Sequence, residues 1–170
     1  MDINEFKSLV LPVKEKVFGL AMILLKSKEE SNDALQEVFL KLWENRHKLS
    51  EVINIEAYAV RITKNLCLDK LKAIKRTRPI EKHEYYLEYQ EANPYKRLEI
   101  EDSAAQMQNI LDKLPEQQKL IIFLRDVNGY SFEEMEEITG LSLNVLRVTL
   151  SRARKSARVL YLKLNDYENR

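Results

Sequence analysis

Apolar residues recur along this chain at spacings of three and four, the period of a helix with one buried face. From Ile3 to Leu25 the series Phe6, Val10, Val13, Val17, Leu20 and Leu24 predicts a helix. Pro12 kinks or breaks it near Val10 or Leu11, because proline lacks an N–H and clashes with the preceding turn. Ser27 followed by Glu30 has the form of a capping box for a second helix. That helix carries Ala34, Leu35, Val38, Phe39, Leu42 and Trp43 on one side and Asp33, Gln36, Glu37, Lys41 and Glu44 on the other. The stretch "HKLSEVINIE" reads as a loop, and Asn54 is placed to cap a third helix. Its apolar stripe is read as Ile55, Tyr58, Ile62, Leu66 and Ile74, with Ala59 and Ala73 beside it. Three such helices make one compact bundle.

From Thr77 to about Ser103 no period is sustained, prolines stand near both ends and charges cluster, so the segment reads as a linker that admits short helical turns. Helical spacing returns with Met107, Ile110, Leu111 and Leu114. Pro115 suits the first position of a further helix, "EQQKLIIFLRDV", which stops at Gly129. Ser131 with Glu134 forms a second capping-box pattern, a short helix runs to Thr139, and Gly140 stands where a left-handed residue is wanted. Ser142 caps a last helix with a buried stripe of Leu146, Leu150, Ala153, Ala157 and Leu160. The expected fold is therefore all-α: two small helical domains, 1–76 and 106–170, joined by a flexible linker over 77–105.

A short helix, a tight turn at Gly140 and a second helix form a helix-turn-helix, which lays its second helix in the DNA major groove. Met135, Ile138 and Leu141 are placed to pack on Leu146 and Leu150, leaving Asn144, Arg147, Val148, Ser151 and Arg152 on the open face. An arginine there can offer two donors to a guanine edge, while Arg154, Lys155 and Arg158 suit phosphates.

Composition sharpens this picture. Glycine and proline are scarce, at 3 and 4 residues, as an all-helical chain requires. Net charge is only +1, so it is the distribution of charge that points to a polyanion. Residues 61–76 carry Arg61, Lys64, Lys70, Lys72, Lys75 and Arg76 against Asp69 alone, residues 77–112 are acidic on balance, and the last helix is basic. A single cysteine, Cys67, excludes an internal disulfide and disfavours a structural zinc. The N-terminus lacks a secretory signal and the apolar run "VFGLAMILL" is too short for a bilayer, so a cytoplasmic protein with no membrane insertion is expected. His47 and His83 are far apart, and no phosphate loop, metal cluster or nucleophile motif appears. No catalysis and no cofactor are expected.

The stretch "LDKLPEQQKLIIFLRDVNGYSFEEMEEITGLSLNVLRVTLSRARKSAR" resembles region 4 of bacterial RNA polymerase sigma factors, most closely the extracytoplasmic-function (ECF) group of the sigma-70 family. Earlier, "DALQEVFLKLWENR" resembles the region 2 helix that docks on the polymerase clamp, and "YAVRITKNLCLDKLKAIKR" the helix that opens and reads the −10 element. The resemblance implies promoter-specific initiation, with core polymerase (clamp and flap), promoter DNA and an anti-sigma factor as partners. It assigns polymerase docking to Asp33, Gln36, Glu37 and Lys41, and leaves Trp43 in the core with an edge at the interface. It assigns −10 recognition to Arg61, Lys64, Asn65, Asp69, Lys72, Lys75 and Arg76, and −35 recognition to Asn144, Arg147, Val148, Ser151, Arg152, Arg154 and Lys155. Asp69 either positions Lys72, accepts from a cytosine amino group, or forms a surface ion pair with Lys72 or Lys70. The loop from Arg46 to Ile55 stands where relatives capture a flipped base, with Asn54 and His47 as polar candidates. The acidic, tyrosine-bearing linker (Tyr85, Tyr86, Tyr89, Tyr95) either threads the polymerase or is a plain tether. Val148 and Thr149 depart from the basic or small polar residues common in relatives. The competing reading is a helix-turn-helix regulator that works without docking on core polymerase.

Overall fold

The computed structural model describes the backbone of residues 1–77 and 94–168, with the side chains of 1–77 and 103–165. Tyr85, Tyr86, Tyr89 and His83 lie outside the described residues, as does the side chain of Tyr95. All regular structure among the described residues is helical. By contacts the described residues divide into two units, one holding residues 1–77 together with Glu133–Gly140, the other holding residues 94–132 and 141–168.

In the first unit α1 spans Ile3–Val10. Asp2 caps it, its carboxylate accepting from the N–H of Asn4 at 2.7 Å and of Glu5 at 2.9 Å, while Glu5 accepts from the Asp2 N–H at 2.8 Å. This capping box was not read from the sequence, although the Asp2-x-x-Glu5 spacing carries it. Pro12 interrupts as expected: Leu11–Val13 form a single 3-10 turn before α2, Lys14–Leu25. Ser27 begins α3, Lys28–Glu44, by accepting from the Glu30 N–H at 3.3 Å. Asn54 begins α4, Ile55–Thr77, by accepting from the Ala57 N–H at 2.9 Å. The segment read as a loop contains a 3-10 turn, Leu49–Glu51, whose Leu49 is buried in the core.

The core is formed by Val17, Leu20 and Ala21 of α2, Ala34, Val38 and Leu42 of α3, and one face of α4. That face agrees with the expected one at Ala59 and Leu66 and differs elsewhere. The buried residues are Ala57, Ala59, Val60, Thr63, Leu66 and Cys67, whereas Ile55, Tyr58 and Ile62 are half-exposed and Ala73 and Ile74 exposed. The reason is steric: α4 packs against both α2 and α3, and small side chains allow two neighbours to approach together. Thr63 is tolerated there because its hydroxyl donates to the Ala59 carbonyl at 2.8 Å.

In the second unit α5 runs Pro94–Lys113, so helix begins inside the segment that lacks a sequence period, with proline at its first position. Ile110, Leu111 and Leu114 are buried, but Met107, expected in the same stripe, is 54 % exposed. Helix α6, Glu116–Ile122, follows Pro115, which acts as its N-cap one position earlier than expected. It continues as a π turn over Phe123–Val127, in which the Asn128 N–H donates to the Phe123 carbonyl at 3.0 Å. Ile121 and Leu124 are buried in this unit, as are Leu146, Leu150 and Ala153 of α8, Leu143–Glu168. Lys119 is also buried, with its ammonium 3.6 Å from the Asp112 carboxylate.

Truncating a filled core position tests this packing. Leu20→Ala removes a fully buried side chain and is expected to cost about 2–5 kcal/mol. Trp43 is the chain's only tryptophan and lies in the same unit, so its fluorescence follows this bundle through urea unfolding. A lowered midpoint is expected; an unchanged one would contradict the packing described.

Candidate nucleic-acid interface

The second basic helix is delimited by local rules. α7, Phe132–Thr139, ends at Gly140, whose φ of +73° is left-handed and whose N–H donates to the Glu136 carbonyl at 2.8 Å. Ser142 then opens α8: its hydroxyl accepts from the Val145 N–H at 3.5 Å and its carbonyl from the Leu146 N–H at 2.9 Å. With Leu146, Leu150 and Ala153 turned inward, Asn144, Arg147, Val148, Ser151, Arg152, Arg154 and Lys155 are all exposed. Ala157 and Leu160, expected to continue the buried stripe, are half-buried.

Arg154 differs from its neighbours. Asp126 grips it with two bonds, Nε to Oδ2 at 2.9 Å and a terminal nitrogen to Oδ1 at 2.5 Å. That carboxylate raises the arginine pKa above its ordinary value through the hydrogen bond. A side chain held this way is a strut between α8 and the π turn, and its expected role on phosphate competes with that pairing. Asp126 was not singled out from the sequence, and no sequence spacing joins residues that far apart.

On α4 the outward line is Asn65, Asp69, Lys72 and Arg76, with Lys75 alongside, all exposed and spaced to share one side. The Asp69 carboxylate lies 3.9 Å from Lys72, a contact common to the positioning and ion-pair alternatives. Both groups are at least 70 % exposed, so the pair is weak and can exchange for another partner. Lys70 is turned the other way, 3.6 Å from Glu37 of α3. Arg61 lies over the half-exposed ring of Tyr58, 5.3 Å from its centroid. Lys64 is half-buried, and burial, with the nearby Arg61 charge, lowers its pKa.

The polar side of α3 presents Asp33, Gln36 and Lys41 to solvent, with Glu37 half-exposed between Lys41 at 3.3 Å and Lys70 at 3.6 Å. Leu40 belongs to this side, 61 % exposed, although nothing in the sequence reading picked it out. Its offset from the Leu35–Val38–Leu42 stripe was the available signal. Trp43 is half-buried, edge-on to Phe6 at 5.0 Å and under the Arg46 guanidinium at 4.3 Å. In the loop before α4, His47 is exposed, Asn54 is occupied as a cap, and Ile53 is fully exposed. Among the described residues there is no cluster of three or more potential metal ligands. No helix among them is long and apolar enough to cross a membrane.

Comparison with known proteins matches both halves to one family. Residues 9–77 match the family model for Sigma-70 region 2 and residues 104–156 that for Sigma-70, region 4. The chain is 28 % identical over 146 residues to the ECF RNA polymerase sigma factor SigE of Mycolicibacterium smegmatis, covering 85 % of this chain but only 56 % of that protein. It is 26 % identical over 151 residues to the RNA polymerase sigma factor SigV of Bacillus subtilis, covering 88 % of this chain and 87 % of the relative. Its fold is similar to that of the sigma factor RpoE solved with the anti-sigma factor NepR from Bartonella quintana, with a TM-score of 0.72, 19 % identity and coverage of 93 % and 97 %.

Cys67 offers a check on the α4 geometry. Burial pushes its thiol up to about 12 from 9.0. At pH 8 the thiolate is then roughly one part in ten thousand, so a thiol reagent should react only after unfolding. The raised pKa also sets a pH dependence: its contribution to stability is present below pH 9.0 and is lost as pH rises toward about 12. Rapid modification of the folded chain would show that this face of α4 is not buried.

Proposed function

The chain belongs to the sigma-70 family, in its ECF group, and we propose that it binds core RNA polymerase and directs promoter-specific transcription initiation. The observation that supports this best is the order of the two family matches in one chain, each carrying an exposed polar side on the helix where the role falls. In this reading residues 1–76 act as region 2, 106–170 as region 4, and 77–105 as the linker between them. Asp33, Gln36, Glu37 and Lys41 meet the clamp, with the flap engaging the C-terminal half. Leu40 adds an apolar centre to the docking side, as interfaces commonly have.

Asn65, Asp69, Lys72, Lys75 and Arg76, with Arg61 and Lys64 at the margin, face the −10 element. The lysines and arginines neutralise phosphates, and Asp69 releases Lys72 when a phosphate takes its place. Asn144, Arg147, Val148, Ser151 and Arg152 read the −35 element, Val148 through a thymine methyl group. Two modest DNA contacts on one tether gain by effective concentration, which suits a chain whose net charge is only +1. The chain makes and breaks no bonds itself; it acts in the cytoplasm on the polymerase, and an anti-sigma factor holds it until required.

Docking is tested by co-elution of the full chain with bacterial core RNA polymerase. A stable complex is expected for the wild type and its loss for the combined Asp33→Ala, Gln36→Ala and Glu37→Ala variant, with helical content unchanged. A folded wild-type chain that fails to co-elute would favour the regulator that works without core polymerase.

A further inference from the structure

The π turn of Phe123–Val127 bears on how α8 would read a base, an inference that rests on the assignment of Arg147 to the −35 element. π turns add a residue to the helical register and often stand at functional positions. Here the consecutive side chains of Arg125 and Asp126 reach the Phe132 ring at the start of α7 and Arg154 of α8 respectively. Asp126 grips Arg154 directly, as described above. Arg125 donates to the Tyr130 carbonyl at 2.5 Å and lies over the ring of Phe132, 4.9 Å from its centroid. The same ring carries the guanidinium of Arg147 at 5.6 Å. Arg147 and Arg154 are two helical turns apart on one side of α8, so a single turn of backbone acts on both.

We propose that Phe132 is a positioning residue for Arg147: its ring, held by the anchored Arg125, preselects guanidinium orientations suited to a guanine edge. An exposed arginine samples many rotamers, and ordering them on binding works against recognition. A ring within about 6 Å restrains the charge without a fixed partner. The two arginines differ in how firmly they are held. Arg154 has a bidentate carboxylate, whereas Arg147 has the face of one ring, shared with a like charge. Arg147 can therefore turn toward a base while keeping its contact with the ring, and Arg154 stays as the strut. Phe132 is half-buried at the start of α7, so part of its ring is covered while part remains open to Arg147.

The test uses holoenzyme assembled from the full chain and core polymerase, on a promoter library randomised across the −35 element, with bound templates sequenced. The wild type is expected to enrich one base at the position Arg147 contacts, and Arg147→Ala to flatten that enrichment. Phe132→Leu keeps an apolar side chain but removes the ring; it should lower the enrichment about two- to fivefold, the worth of an exposed cation–π contact. Phe132→Tyr restores it, and Phe132→Leu adds nothing in an Arg147→Ala background. Melting temperature and total template bound stay as in the wild type; if Phe132→Leu melts early, Phe132→Met serves in its place. Unchanged enrichment in the ring-less variants, or a further loss in the Arg147→Ala background, would overturn the positioning role. If Arg147→Ala itself leaves the enrichment intact, the −35 assignment fails and the inference falls with it.

Discussion

Ala57, Ala59, Thr63 and Cys67 allow α4 to pack against α2 and α3 at once, and that close approach determines which residues the helix turns outward. A bulkier inner face would keep α4 from seating against both neighbours at once. The small-residue face therefore sets the chemistry of the opposite one, although none of its members is assigned a contact with DNA. Leu146, Leu150 and Ala153 do the same for α8, where two large residues and one small one fix the outward row from Asn144 to Lys155.

Internal charge pairing then sorts the exposed groups. Glu37 sits between Lys41 and Lys70, Asp69 beside Lys72, and Asp126 on Arg154. The first three pairs are monodentate and solvent-accessible, so each is worth little and yields readily to a macromolecular partner. The bidentate grip on Arg154 has better geometry and serves the fold. Charge count alone treats Lys72 and Arg154 as equals; their partners separate them.

Features governed by local rules were legible in the sequence. The break at Pro12, the caps Ser27, Asn54 and Ser142, the left-handed Gly140 and the buried Leu146–Leu150–Ala153 row depend on residues within a turn or two of one another. The register of α4 was not, because periodicity weighs large side chains and the packing here needed small ones. Ile55, Tyr58 and Ile62 looked like a core stripe and lie at its margin. Asp126 and Arg154 are 28 residues apart, and only the tertiary fold joins them. Leu40 was hidden for another reason: one apolar residue in a polar row carries no period, and its significance comes from being exposed there.

This chain gives core polymerase a promoter preference it otherwise lacks. The most direct measurement is transcription of fragmented bacterial genomic DNA by core polymerase with and without the chain, mapping RNA 5′ ends by sequencing. A set of start sites is expected that appear only with the chain and share one upstream pair of elements at fixed spacing. Start sites identical to those of core polymerase alone, from a chain shown to be folded and bound to the enzyme, would contradict it.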